Sequence, residues 1–128
     1  MKLPKFETLD LSCDARGVLT VALNRPEKRN ALSGQMIADL IEFAQTVSAM
    51  DAVRVVVLRG RGHVFCAGGD LEWMKAQIAA DRAGRMAEAH KLAQMLKRLN
   101  TLPKPLIGVL QGGAYGGGAS QDSNSASF

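Results

Sequence analysis

The chain has 128 residues, 47% of them hydrophobic and 22% charged, with a formal net charge of +4. That is one domain's worth at most, enough to bury a core but short for an enzyme that must also enclose a substrate. Scattered basic residues and an aromatic content of 5% argue against the basic, aromatic-laced stripe of a nucleic-acid binder. No apolar run approaches the roughly 18 residues of a membrane span, and a modest positive field suits an anionic small molecule.

Phe6 to Cys13 alternates apolar and polar residues, which is strand periodicity. Asp14-Ala15-Arg16-Gly17 supplies turn chemistry, and Val18 to Leu23 is β-rich, so the two segments predict a hairpin. Asn24-Arg25-Pro26 ends it, because proline donates nothing to a ladder. Ser33 is a candidate N-cap, after which Met36, Ile37, Leu40, Ile41, Ala44 and Val47 recur at helical spacing. Val53 to Leu58 predicts a buried strand, broken by Gly60-Arg61-Gly62-His63. A long helix is expected over roughly 81–100, with Met86, Ala89, Ala93, Leu96 and Leu99 as its apolar face. Pro103 and Pro105 bar its continuation. Leu106 to Leu110 follows as a short strand, giving the order β-β-α-β-α-β and an α/β class. The opening Met1-Lys2-Leu3-Pro4-Lys5 lacks an apolar signal core, and the only cysteines are Cys13 and Cys66. The expected setting is the cytoplasm, with both thiols in the core.

Seven of the thirteen glycines, Gly62, Gly68, Gly69, Gly113, Gly116, Gly117 and Gly118, lie in or beside two short stretches. Each stretch follows a predicted strand. A loop leaving a strand and entering a helix exposes backbone N–H groups without intrahelical partners, at the positive end of the helix dipole. Two such loops converging on one oxygen make an oxyanion hole. Glycine there admits the oxygen without a Cβ clash. Turn formation and close packing explain the same glycines equally well from spacing alone. Neither stretch fits G-x-G-x-x-G or ends in Gly-Lys-Ser/Thr, which sets nucleotide loops aside. His63 and Cys66 stand three apart without a second ligand pair, so no metal site is expected. Asp70 fits a helix N-cap better than a catalytic acid. His90 sits on a charged helix and reads as solvated.

Three segments carry a family resemblance. Leu23-Asn24-Arg25-Pro26-Glu27-Lys28-Arg29-Asn30-Ala31-Leu32, Phe65-Cys66-Ala67-Gly68-Gly69-Asp70-Leu71, and Lys104-Pro105 with Gln111-Gly112-Gly113-Ala114-Tyr115-Gly116-Gly117-Gly118 resemble, in order, three motifs of the enoyl-CoA hydratase/isomerase (crotonase) family. The likeness covers about residues 6 to 118 and implies a crotonase-like ββα spiral core, truncated. It implies oxyanion donors at the N–H groups of Gly69 and Gly117. The backbone around Lys28 and the Ala67 carbonyl fall where the family grips the adenosine end of coenzyme A; Lys28 and Arg29 are also candidates to face its phosphates, with a solvated surface role favoured for Arg29. Trp73 and Met74, just after the first loop, resemble members acting on branched or carboxylated acyl groups, such as methylglutaconyl-CoA hydratases. They suit either an acyl pocket of soft apolar surface or a helix core. The implied partner is an acyl-CoA, with no cofactor beyond its coenzyme A moiety, no nucleic acid and no membrane, and with homo-oligomers among full-length relatives.

The resemblance stops at residue 118. The position of a hydratase carboxylate, two residues after the third glycine of the triplet, is Ser120. Where the family enters an apolar helix, residues 119–128 are polar and serine-rich. Two functions from different classes follow: an acyl-CoA enzyme of the family in truncated form, or a non-catalytic remnant that binds coenzyme A or packs with a partner chain.

Overall fold

A computed structural model describes residues 2–62 and 64–109 together with the backbone of 125–127. The Asp14–Gly17 turn closes the expected hairpin. β1 (Leu9–Cys13) pairs antiparallel with β2 (Val18–Leu23), and Leu9 stands opposite Leu23. The Asp14 carboxylate accepts from the Arg16 and Val18 N–H groups, and Gly17 takes φ +85°. A Cβ on Gly17 would lie 2.6 Å from the Ala52 carbonyl oxygen, so this turn needs glycine.

Beyond the hairpin the sheet becomes parallel. β3 (Val55–Gly60) lies beside β2, and β4 (Leu106–Val109) beside β3. A further short strand, β5 (Ser125–Ser127), pairs antiparallel with β4, so five strands run in chain order across one sheet. Parallel neighbours require crossovers, and helices supply them. α1 (Gly34–Ser48) connects β2 to β3, while α2 (Leu71–Ala79) and α3 (Arg82–Asn100) together connect β3 to β4. The sequence-based order lacks α2 as a separate element.

Strand alternation places Leu19, Val21 and Leu23 of β2 with Val56 and Leu58 of β3 and Leu106 of β4 in one buried cluster. α1 covers it with Met36, Ile37, Leu40, Phe43, Ala44 and Val47. Ser33 caps α1 as expected, its hydroxyl accepting from the Met36 N–H at 3.2 Å. Two polar staples flank this core. The buried Asp39 carboxylate accepts from the Thr8 N–H at 3.0 Å and hydroxyl at 2.7 Å. Lys104 donates to the carbonyls of Met50 and Val53, both at 2.6 Å, tying the start of β4 to the turn after α1.

The packing face of α3 keeps Leu99 of the expected face and otherwise differs from it. It buries Met95 and Leu99, with Leu92 partly covered. Met86 is 61% exposed and Leu96 41%, and Ala89 and Ala93 are exposed too. Leu92, Met95 and Leu99 form a second stripe of helical spacing, and that stripe turns toward α1. Of the two thiols, Cys66 is buried and Cys13 only half-buried; burial pushes the Cys66 thiol pKa up, so this sulfur stays protonated. Among the described residues no helix is long and apolar enough to cross a membrane.

Candidate functional site

The site begins where β2 ends. Pro26 starts a single 3₁₀ turn, Pro26–Lys28, and Arg29 and Asn30 follow in left-handed conformation at φ 53° and 57°. Non-glycine residues adopt that region rarely, asparagine most readily among them. Asn30 is fully buried and its amide is fully used. Its Oδ1 accepts from the Arg25 N–H at 2.8 Å, and its Nδ2 donates to the carbonyls of Arg61 and Val64, each at 2.8 Å. One side chain thereby joins the loop after β2 to the loop after β3.

Backbone bonds extend the seam. The Ala67 N–H donates to the Arg29 carbonyl at 3.0 Å, the Leu32 N–H to the Gly68 carbonyl at 2.6 Å, and the Asp70 N–H to the Leu32 carbonyl at 2.7 Å. Leu32 and Gly69 thus form a parallel bridge. In such a bridge the groups on either side of Gly69 face Leu32, so the N–H of Gly69 itself points away. It has no hydrogen-bond partner among the described residues. Gly68 takes φ +90°, setting up this reversal.

Asp70 ends the loop and starts α2. One carboxylate oxygen accepts from the Trp73 N–H at 3.1 Å and the other from the Arg25 guanidinium at 3.2 Å. Arg25 also donates to the Ala31 carbonyl at 2.6 Å. Burial alone would raise the Asp70 pKa. The Trp73 N–H, the Arg25 guanidinium and the Glu72 N–H outweigh it and hold the carboxyl below its ordinary value. Asp70 is therefore an ionised cap, as the sequence suggests, with an ion pair the sequence does not suggest.

α2 buries no residue. Trp73 is half-buried and Met74 is 42% exposed. Both lie against Gly69: a Cβ there would sit 3.2 Å from Met74 Cγ, 3.3 Å from its Sδ and 3.6 Å from Trp73 Cε3. The opposite edge of the indole faces Gly34, the first residue of α1, where a Cβ would lie 3.6 Å from Trp73 Cδ1. Trp73 Nε1 donates to Glu88 Oε2 of α3 at 3.4 Å.

The structure therefore brings Gly69, Trp73 and Met74 together, and places Ala67 beside Arg29 and next to exposed Lys28 on the adjoining seam. The Lys28 N–H closes the 3₁₀ turn onto the Arg25 carbonyl at 2.9 Å. Gly117, Ser120 and His63 lie outside the described residues. His90 is exposed on α3. Among the described residues no group of three His, Cys, Asp or Glu side chains is arranged to hold a metal. The sequence does not single out Arg25, Asn30 or Glu88, which join these loops and the indole. For Arg25 and Asn30 a signal existed, since both lie in the first quoted motif; Glu88 gave none.

The sequence profile of the enoyl-CoA hydratase/isomerase family matches residues 14–122. A probable enoyl-CoA hydratase of Mycobacterium leprae is 43% identical over 107 residues, which cover 81% of this chain and 40% of the relative. The 1,2-epoxyphenylacetyl-CoA isomerase of Escherichia coli is 36% identical over 110 residues, covering 85% of this chain and 42% of that protein. Among solved structures, an enoyl-CoA hydratase from Shewanella pealeana superposes with a TM-score of 0.85 at 32% identity, covering 89% of this chain and 43% of that one. The chain spans about two fifths of the length of the curated relatives it matches.

Proposed function

The chain belongs to the enoyl-CoA hydratase/isomerase family, and on that premise we propose that its two loops form the carbonyl-binding end of an acyl-CoA site acting by enolate stabilisation. The observation that carries this reading is the Gly69 N–H. It is turned away from the Leu32 bridge, has no partner among the described residues, and belongs to a residue flanked by Trp73 and Met74. A thioester oxygen accepting this hydrogen bond, with Gly117 as the second donor, gains most as negative charge develops on it. Trp73 and Met74 then line the acyl group, and Lys28 and Ala67 meet the adenosine end. The partner is an acyl-CoA, the only cofactor chemistry is that of its coenzyme A moiety, and the setting is the cytoplasm, with homo-oligomers expected among full-length relatives.

Gly69→Ala tests the assignment. The N–H is kept, but the added Cβ would lie 3.2 Å from Met74 Cγ and crowd the space a ligand oxygen must enter. The fluorescence of Trp73, the only tryptophan in the chain, reports binding. Crotonyl-CoA affinity is expected to fall roughly tenfold, as weakening one hydrogen bond by blocking close approach predicts, with free coenzyme A affinity unchanged. Equal crotonyl-CoA binding by both proteins removes Gly69 from the site. Retention of NAD in place of acyl-CoA removes the reading altogether.

A second reading is favoured by one position. Ser120 stands where the family resemblance puts a hydratase carboxylate, and a serine hydroxyl near neutral pH cannot serve as the general acid/base that hydration requires. On this reading the chain binds acyl-CoA without hydrating it. The absorbance of the conjugated thioester in crotonyl-CoA or methylglutaconyl-CoA then stays constant while binding persists; sustained decay selects the hydratase.

A further inference from the structure

We infer that Glu88 is a positioning residue for the acyl-binding surface, acting through the indole of Trp73; the inference rests on the acyl-CoA reading of Gly69. α2 carries the surface beside Gly69 yet buries none of its own residues. Its apolar side chains Leu71 and Ile78 are 61% and 80% exposed, so packing alone does little to fix the helix. Its start is held by Asp70. Beyond that, Trp73 is the described residue of α2 packed against the hydrophobic core, and its indole also reaches α3.

The indole spans a short gap with a defined edge at each end. Its benzo edge, at Cε3, faces Gly69; its pyrrole edge, at Cδ1 and Nε1, faces Gly34 and Glu88. Rotation about the side-chain bonds that freed Nε1 from Glu88 would carry Cε3 away from Gly69. Glu88 is suited to prevent this, because its two oxygens are divided. Oε2 accepts from Trp73 Nε1 at 3.4 Å, while Oε1 faces Lys91 one turn along α3 at 3.3 Å. Gln77 adds a second link within α2, donating to the Trp73 carbonyl at 3.2 Å. The shape of the wall beside the oxyanion donor is thus set from α3, fifteen residues away in sequence. No proton transfer is assigned to Glu88, since the full width of the indole separates it from Gly69.

Trp73 fluorescence tests this with and without ligand. Four proteins are compared: the unaltered chain, Glu88→Gln, Glu88→Ala and Lys91→Ala. Alanine and glutamine both suit a helix interior, so α3 persists, and circular dichroism verifies that it does. In the free protein, acrylamide quenching of Trp73 should rise in Glu88→Ala and stay at the unaltered level in Glu88→Gln, whose amide oxygen still accepts. Crotonyl-CoA affinity should drop about threefold to tenfold in Glu88→Ala alone, the range expected for one lost hydrogen bond, with free coenzyme A affinity constant. Quenching that is the same in all four proteins overturns the tether. So does Lys91→Ala matching Glu88→Ala, because general loosening of α3 would then explain both. If the unaltered chain binds no acyl-CoA, the functional reading fails while the quenching comparison still decides whether Glu88 holds the indole.

Discussion

α1 and α2 start in the same way and end in opposite situations. Each follows a loop, and each is capped by a side-chain oxygen accepting the N–H three residues on: Ser33 from Met36, Asp70 from Trp73. α1 then buries seven residues, and α2 buries none. A cap fixes where a helix begins and says nothing of what covers it. α1 is held by area removed from water. α2 is held at one end by an ion pair and near its first turn by one indole.

The widest separation between the two helices should appear in truncations. Phe43 is completely buried against the sheet and makes an edge-on contact with Phe6 at 6.5 Å between ring centroids. Phe43→Ala is expected to destabilise the fold by about 4 kcal/mol, through lost transfer energy and a cavity. Ile78→Ala, on a residue 80% exposed, should stay within about 0.5 kcal/mol of the unaltered chain. Urea unfolding midpoints measure both. A comparable loss at Ile78 would show that α2 is covered in solution.

The seam between the two loops comes next. Asn30→Ala leaves the Arg25 N–H and the carbonyls of Arg61 and Val64 without the Asn30 amide and puts alanine, which lacks asparagine's tolerance of this region, at φ 57°. The expected cost is about 3 kcal/mol. It should also speed hydrogen exchange at the Leu32 and Asp70 amides, which close the bridge flanking Gly69. Loss of stability with those two amides still protected would mean that Asn30 serves the core and not the site.

What the sequence makes legible follows the same division. The hairpin was readable because Asp14 and Gly17 have turn chemistry that acts within four residues. α1 was readable because its apolar residues form a single stripe. α3 carries two stripes of helical spacing, Met86–Ala89–Ala93–Leu96 and Leu92–Met95–Leu99, and periodicity cannot say which one meets α1. Of the expected face only Leu99 is buried, and the rest of that stripe is exposed. Gly69, Trp73 and Met74 lie within six residues of chain, so their closeness in space is local and legible before the fold. The Arg25–Asp70 pair joins residues 45 apart, and the Glu88–Trp73 bond joins two helices at residues 15 apart. No local rule brings such residues together, so their roles had to wait for the fold.

The smallest expected effect separates the two caps by charge. The Ser33 hydroxyl does not titrate, so Ser33→Ala should cost about 1 kcal/mol at every pH where the chain folds. Asp70 is different. Its ionised form is favoured in the folded chain by the Trp73 N–H and by Arg25, against the opposing effect of burial. A carboxyl with a lowered folded-state pKa contributes stability that is present above its unfolded value and lost as pH falls through its folded value. Asp70→Asn keeps a capping oxygen and removes the charge. The stability gap between the unaltered chain and Asp70→Asn should therefore be open, at about 1 kcal/mol, near neutral pH. It should close on acidification, starting below the ordinary carboxylate range near about pH 4. Melting temperatures of the two proteins across that range measure the gap directly, and the other carboxylates cancel because both proteins carry them. A gap that stays constant into acid would mean that α2, like α1, is capped by geometry alone, and that the Arg25 pair contributes no net charge stabilisation to the loop bearing Gly69.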